Sequence, residues 1–288
     1  MDSIKSRQGE YIDVCTSDKA LEFLYGTVIG RVLLKLVARR FVSRIVGVYM
    51  NSRLSKIHIK KTVKRIGIDL SDYEKSIFLS YNDFFTRKIK SEKRPIDKNL
   101  ESFISPCDAK VCVYKISDKS LFYIKNSVYS VKTLLGDNNE LASKYNGGYC
   151  LIFRLTVDDY HRYSYIDNGR KSRNVFIPGL LHTVKPIALE KYNIYKQNCR
   201  EYTVLDTDNF GQIVQIEVGA MMVGKINNLH QSHSYKKGEE KGFFEFGGST
   251  IVLLVKENVI TIDSDILKNS AENIETVVRL GERIAVKN

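Results

Sequence analysis

The stretch Phe246-Gly247-Gly248-Ser249-Thr250 leads directly into the apolar, strand-like run Ile251-Val252-Leu253-Leu254-Val255. The two glycines permit positive φ angles and close backbone approach, so the Ser249 hydroxyl could reach the Gly248 carbonyl. Attack there would replace the amide with an ester. Elimination across Ser249 followed by hydrolysis would then leave a pyruvoyl group, a ketone that acts as an electron sink. The same residues also suit an ordinary turn into a strand.

Similar short runs, rich in β-branched and aromatic residues, recur from Phe103 onward. They predict strands at 110–116, 121–124, 148–156, 175–177, 212–218 and 250–255. Earlier in the chain, apolar residues at helical spacing predict helices over 20–49, 55–65 and 73–90. We therefore expect an α+β fold, with a helical N-terminal region (1–95) followed by a β-rich, mostly antiparallel catalytic core (96–288).

Composition limits the class of protein. The 288 residues include 45 Lys and Arg against 33 Asp and Glu, a net charge of +12 that favours polyanions such as phospholipid surfaces or nucleic acid. Charge alone does not choose between these partners. The five cysteines include no Cys-x-x-Cys pair, which argues against a disulfide framework and a thiolate zinc site. No phosphate-binding glycine motif supports nucleotide chemistry.

The segment 20–49 carries basic residues that interrupt its apolar pattern too often for a bilayer span: Arg31, Lys35, Arg39, Arg40 and Arg44. It suits a basic amphipathic helix lying on anionic lipid. A soluble helix that packs its apolar face on the core would show the same pattern. Residues 1–15 are polar and mixed in charge, so we expect no secretion signal.

A nucleophilic Ser249 needs a base, and the base needs a group that orients it. His161 follows the predicted strand 148–156, and His182 follows Pro178-Gly179-Leu180-Leu181. Asp108, at a tight turn before the strand 110–116, is a candidate carboxylate, although a turn-capping role would also explain it.

The remaining three histidines are weaker candidates for a functional site. His58 lies on a basic predicted helix, where a solvated imidazole is the default. His230 and His233 could bind a metal, but the spacing brings no third ligand from a regular element, so we expect no metal.

Together these pieces resemble the pyruvoyl-dependent phosphatidylserine decarboxylase family over most of the chain. The matching blocks occur in order and are Asn82-Asp83-Phe84-Phe85-Thr86-Arg87, Arg94-Pro95-Ile96, Ser105-Pro106-Cys107-Asp108, Asp159-Tyr160-His161-Arg162, Val218-Gly219-Ala220 with Val223-Gly224, Lys237-Gly238-Glu239-Glu240, and Phe244-Glu245-Phe246 leading to Gly248-Ser249-Thr250.

The resemblance implies that Ser249 is both the cleavage nucleophile and the precursor of the pyruvoyl cofactor, with Asp108 and a histidine as its relay. It implies cleavage between Gly248 and Ser249 into a β chain (1–248) and an α chain (249–288) that stay associated. The ketone would form a Schiff base with the amine of phosphatidylserine, and loss of CO2 would give phosphatidylethanolamine. Neither pyridoxal phosphate nor a metal is expected.

One departure from the family concerns the relay. Many members have a second histidine three residues after the first, usually assigned to self-cleavage, where this chain has Ser164. Either His161 serves both reactions, which we favour, or another imidazole such as His182 has taken over. Ala109 and Met221-Met222 also differ from the usual residues and could reshape the pocket wall.

Partners follow from the same resemblance. Arg162, Lys185 and Lys225 are candidates for binding the substrate phosphate, although each could be a solvated surface charge. We expect peripheral attachment to the cytoplasmic face of the cell membrane, with lipid rather than nucleic acid as the polyanion; a homodimer is left open. The alternatives are a pyruvoyl decarboxylase acting on another amino compound and a lipid- or nucleic-acid-binding relative with a silent processing site.

Overall fold

The computed structural model describes residues 3–12, 19–37, 40–124, 127–181, 197–219, 225–247 and 249–288. The α-helices in these ranges are α1 (Lys19–Gly26), α2 (Val28–Val37), α3 (Arg40–Asn51), α4 (Ile57–Ile66), α5 (Tyr81–Phe85), α6 (Val131–Leu134), α7 (Asn139–Ser143) and α8 (Ser264–Ala271). Short 3₁₀ helices span Arg53–Lys56, Leu70–Asp72 and Ser91–Lys93.

The strands are β1 (Ile4–Lys5), β2 (Tyr11–Ile12), β3 (Ser102–Ile104), β4 (Ala109–Lys115), β5 (Leu121–Ile124), β6 (Ser127–Ser130), β7 (Tyr149–Leu155), β8 (Arg162–Ser164), β9 (Gly169–Lys171), β10 (Val175–Ile177), β11 (Arg200–Thr207), β12 (Gly211–Gly219), β13 (Ile226–Asn228), β14 (His233–Tyr235), β15 (Glu240–Phe244), β16 (Ser249–Val255), β17 (Ile260–Ile262), β18 (Glu275–Val278) and β19 (Arg283–Lys287). The α+β prediction and its six predicted strands are confirmed, within a residue or so at their ends.

One large sheet organises the molecule, in the order β14-β9-β11-β12-β16-β7-β4-β18-β1-β2, with β10 also paired to β11. Within the described strands of this sheet, β1 and β18 run parallel and the other neighbours run antiparallel. Two three-stranded sheets, β13-β15-β8 and β17-β19-β3, and the β5-β6 hairpin complete the β structure.

Strand β16 runs through the middle of the large sheet and is buried along its whole length. Ile251, Leu253 and Val255 join the apolar cluster on one face, whereas Val252 and Leu254 join the cluster on the other. Because both faces are covered, the sequence of the strand shows a continuous apolar run instead of an alternating pattern. This central position fixes Ser249, its first residue, in the interior.

The N-terminal helices differ from the prediction in two places. The predicted helix 20–49 is divided, because α1 ends at Gly26 and α2 begins at Val28. Between them, the Thr27 hydroxyl donates to the Phe23 carbonyl and accepts from the Gly30 amide, which satisfies backbone groups at the break. No helix among the described residues is both long and apolar enough to cross a membrane.

The predicted helix over 73–90 is wrong, since only α5 is α-helical there. Ser80 caps α5 by accepting from the Asp83 amide, and an isolated antiparallel bridge joins Tyr73 to Ile89. The apolar residues that suggested a long helix instead form a compact buried cluster: Phe78, Tyr81, Phe84 and Phe85. Phe246, next to the predicted cleavage site, packs against this cluster.

Candidate active site

The serine predicted to attack the backbone lies at the start of β16, between two neighbouring strands. Ser249 pairs with Leu155 on β7 and with Gly219 on β12. Its side chain is fully buried, and its Oγ has no hydrogen-bonding partner within the described ranges. Such an orphaned polar atom costs free energy, and at a predicted nucleophile it agrees with an oxygen kept available for reaction.

The glycines before Ser249 were predicted to adopt special backbone angles. Gly247 has φ = 142°, in the region that side-chain-bearing residues rarely adopt, which supports that prediction. Gly248 lies outside the described residues.

Phe246 anchors the segment on the other side of the predicted cleavage site. Its amide donates to Asn82 Oδ1 at 3.0 Å. Its ring meets the rings of Tyr81 and Phe85 edge-on, with centroids 5.0 and 5.4 Å away. The Asn82 to Arg87 block, singled out in the sequence, therefore holds the segment that leads to Ser249.

His161 lies just before β8, with its imidazole 4.0 Å from the ring of Phe85 between centroids. Its Nδ1 is 3.0 Å from the Asp159 carbonyl oxygen, which can only accept, so Nδ1 carries the hydrogen and Nε2 has the free lone pair. Burial lowers the pKa of His161 to about 3, which keeps the ring neutral. Nε2 is buried and has no hydrogen-bonding partner within the described residues, so its lone pair is available to accept a proton.

Asp159, whose carbonyl orients the His161 ring, is held by an ion-pair network that the sequence analysis missed. Lys110 Nζ donates to both carboxylate oxygens of Asp159 at 2.8 and 2.7 Å, and to Thr156 Oγ1 at 2.7 Å. Burial raises the pKa of Asp159, while the Lys110 ammonium opposes that shift. Lys110 reaches Asp159 because β4 pairs with β7, and only this register, not the sequence spacing, brings the two together.

Asp108 is bound to partners other than those predicted. Arg94 Nε donates to its two oxygens at 2.8 and 3.0 Å, and the Leu280 amide donates to Oδ1 at 2.9 Å. No hydrogen bond joins Asp108 to His161 or Ser249, all three being described residues. The relay role of Asp108 therefore stays a prediction, while the structure gives it a bidentate partner in Arg94.

Ser164 occupies the position of the family's second histidine. It is buried, its amide donates to the Pro106 carbonyl at 2.9 Å, and its Oγ has no partner among the residues described. This position therefore borders the turn that carries Asp108. The second relay candidate, His182, lies outside the described residues.

The structure describes two of the three predicted phosphate-binding cations, and these two differ in their partners. Arg162 Nε donates to the Thr86 carbonyl at 2.8 Å, and Nη1 pairs with Glu240 at 2.5 Å, so its charge ties β8 to β15. Lys225 pairs with Glu245 at 2.9 Å, and its side chain is 65% exposed. Lys185 lies outside the described residues.

Lys225 and Glu245 line a cleft of about 1000 Å³ between α3 and the strands β10, β11 and β13. Its apolar lining includes Phe41, Val48 and Phe176. Glu245 lies four residues before Ser249, so the cleft opens next to the cleavage segment. The charged side chains of the lining are mixed in sign, with Arg44 and Lys225 beside Glu201 and Glu245, so the cleft combines an apolar wall with polar groups of both charges.

Comparison with known proteins gives a consistent result. The family model described as phosphatidylserine decarboxylase matches residues 81–286. The chain is 51% identical to phosphatidylserine decarboxylase proenzyme 2 of Clostridium acetobutylicum, over 93% of this chain and 92% of that protein. It is 42% identical to a phosphatidylserine decarboxylase proenzyme of Clostridium botulinum (95% and 94%) and 41% identical to one of Clostridium tetani (96% and 94%).

Proposed function

This chain belongs to the phosphatidylserine decarboxylase family, and we therefore propose that it converts phosphatidylserine to phosphatidylethanolamine and CO2. It is a carboxy-lyase made as a proenzyme that cleaves itself. The observation that supports this most directly is the buried Ser249 Oγ at the start of β16, unpartnered among the described residues. His161, a neutral buried base, is linked to the segment before Ser249 by Phe85, whose ring contacts both the imidazole and Phe246.

We place self-cleavage at the Gly248–Ser249 bond. His161 Nε2 takes the proton from Ser249 Oγ as that oxygen attacks the Gly248 carbonyl carbon. The C–N bond breaks as the amide shifts to an ester, and the amine receives a proton. Elimination then releases the Gly248 carboxylate, and hydrolysis with loss of ammonia leaves a pyruvoyl group on the fragment 249–288.

The residues around Ser249 fit this group, since they surround it with protein and leave one basic nitrogen free. The ketone supplies an electron sink for the loss of CO2. The chain's own contribution is to exclude water from the reacting carboxylate and to hold the Nδ1-protonated tautomer of His161 through the Asp159 carbonyl. His161 Nε2 is then free to accept and return a proton, so one histidine could serve both reactions.

The first experiment is the intact mass of freshly purified protein under denaturing conditions. We expect fragments 1–248 and 249–288, the smaller with a blocked end whose ketone borohydride reduces. Ser249→Ala should remain one uncut, inactive chain. Ser143→Ala, at an exposed position on α7, is the matched control and should process normally. An uncut wild-type chain with full activity would overturn the proposal.

The choice of base is tested by His161→Ala and His182→Ala side by side. We expect at least a hundredfold slower fragment formation for His161→Ala, because general-base catalysis contributes about 10²–10⁴-fold. His182→Ala should process normally. Normal cleavage of His161→Ala together with loss in His182→Ala would move the relay to His182.

Substrate identity is tested by CO2 release. Vesicles containing phosphatidylserine should be decarboxylated much faster than free serine, without added pyridoxal phosphate. Comparable rates on free serine would favour decarboxylation of a soluble amino compound. Lys225→Gln should raise KM more than it lowers kcat if Lys225 contacts the phosphate, and Lys236→Gln, at an exposed position, is its control. We propose the same contact for Lys185.

We further propose that α2 and α3 attach the enzyme to the cytoplasmic face of the cell membrane. Six large apolar side chains on these helices are more than half exposed: Val28, Ile29, Val32, Phe41, Ile45 and Val48. Lys35 and Arg44 are exposed on the same helices. A soluble helix that packs its apolar face on the core would not leave so much apolar surface uncovered.

Vesicle flotation tests this attachment. We expect binding to vesicles with anionic lipid that weakens as salt rises, and at least tenfold weaker binding of Ile29→Asp/Ile45→Asp. Activity of that variant on detergent-dispersed substrate should remain, which separates attachment from catalysis. Equal flotation of both proteins would contradict the role of these helices. Salt-sensitive DNA binding without vesicle binding or cleavage would favour a processing-silent nucleic-acid-binding protein.

A further inference from the structure

Three potential metal ligands meet at the edge of the large sheet, away from the active site. His230 precedes β14, His233 begins it, and Glu239 comes just before β15. His233 Nε2 lies 2.7 Å from Glu239 Oε1, and the rings of His230 and His233 stack with centroids 3.8 Å apart. One ligand atom from each residue lies within 4.8 Å of the other two, and all three side chains are half-buried.

The backbone around these residues is fixed by contacts outside the cluster. The carbonyl of His230 accepts from Lys171 Nζ at 2.6 Å and from Asn174 Nδ2 at 3.1 Å. The carbonyl of Glu239 accepts from the Tyr165 amide at 2.9 Å, and its carboxylate accepts from the Lys236 amide at 3.0 Å. The three ligands are therefore held close together before any ion arrives.

We propose that His230, His233 and Glu239 bind a divalent transition-metal ion, with Zn²⁺ as the best fit. Zn²⁺ takes nitrogen and oxygen ligands at about 2.0–2.2 Å in tetrahedral sites. Two imidazoles disfavour Mg²⁺ and Ca²⁺, which prefer all-oxygen sites. The rings of His230 and His233 lie nearly parallel, with 13° between their planes, so we expect metal binding to turn one ring about its Cβ–Cγ bond until both lone pairs point at the ion. A water would take the fourth position.

The sequence offered only two of these ligands, and the expectation of no metal rested on the missing third. Glu239 joins because the turn after β14 brings it back onto His233. In the large sheet β9, β11 and β12 separate β14 from β16, so the ion would not contact Ser249. The ion would tie the connection between β13 and β14 to the start of β15, so its effect is on stability, and this inference does not rest on the proposed function.

The test is Zn²⁺ binding to full-length, untagged, chelator-treated protein, measured by calorimetry and by competition with a chromophoric chelator. We expect one tight site per chain in wild type, and at least tenfold weaker binding in His230→Gln/His233→Gln. His58→Gln, which alters a histidine on α4 whose Nε2 meets the Tyr49 hydroxyl, is the control and should bind as wild type does.

Two further measurements guard against a misfolded variant. Zn²⁺ should raise the Tm of wild type but not of the double variant or of Glu239→Gln, while the metal-free Tm values should stay close together because the three side chains are half-exposed. Co²⁺ should give visible ligand-field bands in wild type alone. Equal Zn²⁺ affinity in wild type and the folded double variant, or no binding to wild type at about 100 μM, would overturn the proposal.

Discussion

The hydroxyl of Ser249 and the Nε2 of His161 are both enclosed by protein, and neither has a partner within the described residues. Leaving a buried polar atom unpaired costs about 1–3 kcal/mol, so neither atom stabilises the fold, and both agree with groups kept available for reaction. His161 is neutral because burial disfavours its charged form, and its tautomer is set by one backbone carbonyl. A base prepared in this way can act without first losing a proton to solvent.

The lowered pKa of His161 predicts how stability depends on pH. The unfolded chain takes up a proton on this residue below pH about 6.5, whereas the folded chain does so only near pH 3. The unfolded state therefore binds more protons between these values, and His161 makes the free energy of unfolding fall as pH decreases through that range. Between pH 6.5 and 5.5, protonation of His161 in the unfolded chain lowers the free energy of unfolding by about 1 kcal/mol.

Urea unfolding of Ser249→Ala and of Ser249→Ala/His161→Gln at these two pH values measures this contribution, since both chains stay uncut. The variant with glutamine should lose about 1 kcal/mol less stability on acidification. Identical losses in the two proteins would show that His161 is protonated as easily in the folded chain as in the unfolded one.

Elements of the fold were predictable where burial imposes a simple pattern. The strands β4, β7, β12 and β16 cross the middle of the sheet, so their apolar runs stand out in the sequence. Short polar strands such as β8 and β9 show no such pattern, because their place is set by pairing with neighbours that are distant in sequence. The helix predicted over 73–90 failed because its apolar residues pack as a cluster around one short helix.

The candidate site likewise contains residues that the sequence could predict and residues that it could not. Ser249 and His161 were identified from residue type and local motif. The Lys110–Asp159 pair and the Arg94–Asp108 pair were not, because each depends on how separate elements are brought together. Long-range ion pairs of this kind have no signature in a single sequence.

The Arg94–Asp108 pair joins three elements: the 3₁₀ helix ending at Lys93, the turn before β4 and the loop at Leu280. Both side chains are largely buried, at 18% and 10% exposed. Arg94→Ala should lower the free energy of unfolding by about 3 kcal/mol, because it leaves a buried carboxylate without its cation. The free energy of unfolding of Arg94→Lys should lie between those of wild type and Arg94→Ala, since lysine keeps the charge but loses the bidentate geometry.

Lys93→Ala provides the neighbouring control. Lys93 pairs with Asp72 at 2.6 Å, but both side chains are far more exposed, at 48% and 32%. We expect little change in its urea-unfolding midpoint. If Arg94→Ala were no less stable than Lys93→Ala, the buried pair would not hold these elements together.

At the scale of the whole molecule, the predicted cleavage bond falls where the fold can tolerate a break. The segment 249–288 contributes β16 between β12 and β7, β18 between β4 and β1, and β19 beside β3. The fragment is therefore interleaved with strands of the larger one in two sheets. Cutting the chain before Ser249 removes one covalent link and leaves these pairings in place.

We therefore predict that the two fragments stay together after processing. Size-exclusion chromatography without denaturant should give one peak containing both, and they should separate only in urea at concentrations that unfold the protein. The seven residues of β16 are all buried, so releasing them would expose both apolar clusters to water. A small fragment that eluted separately from a folded large one would show that β16 is not the central strand of the processed enzyme.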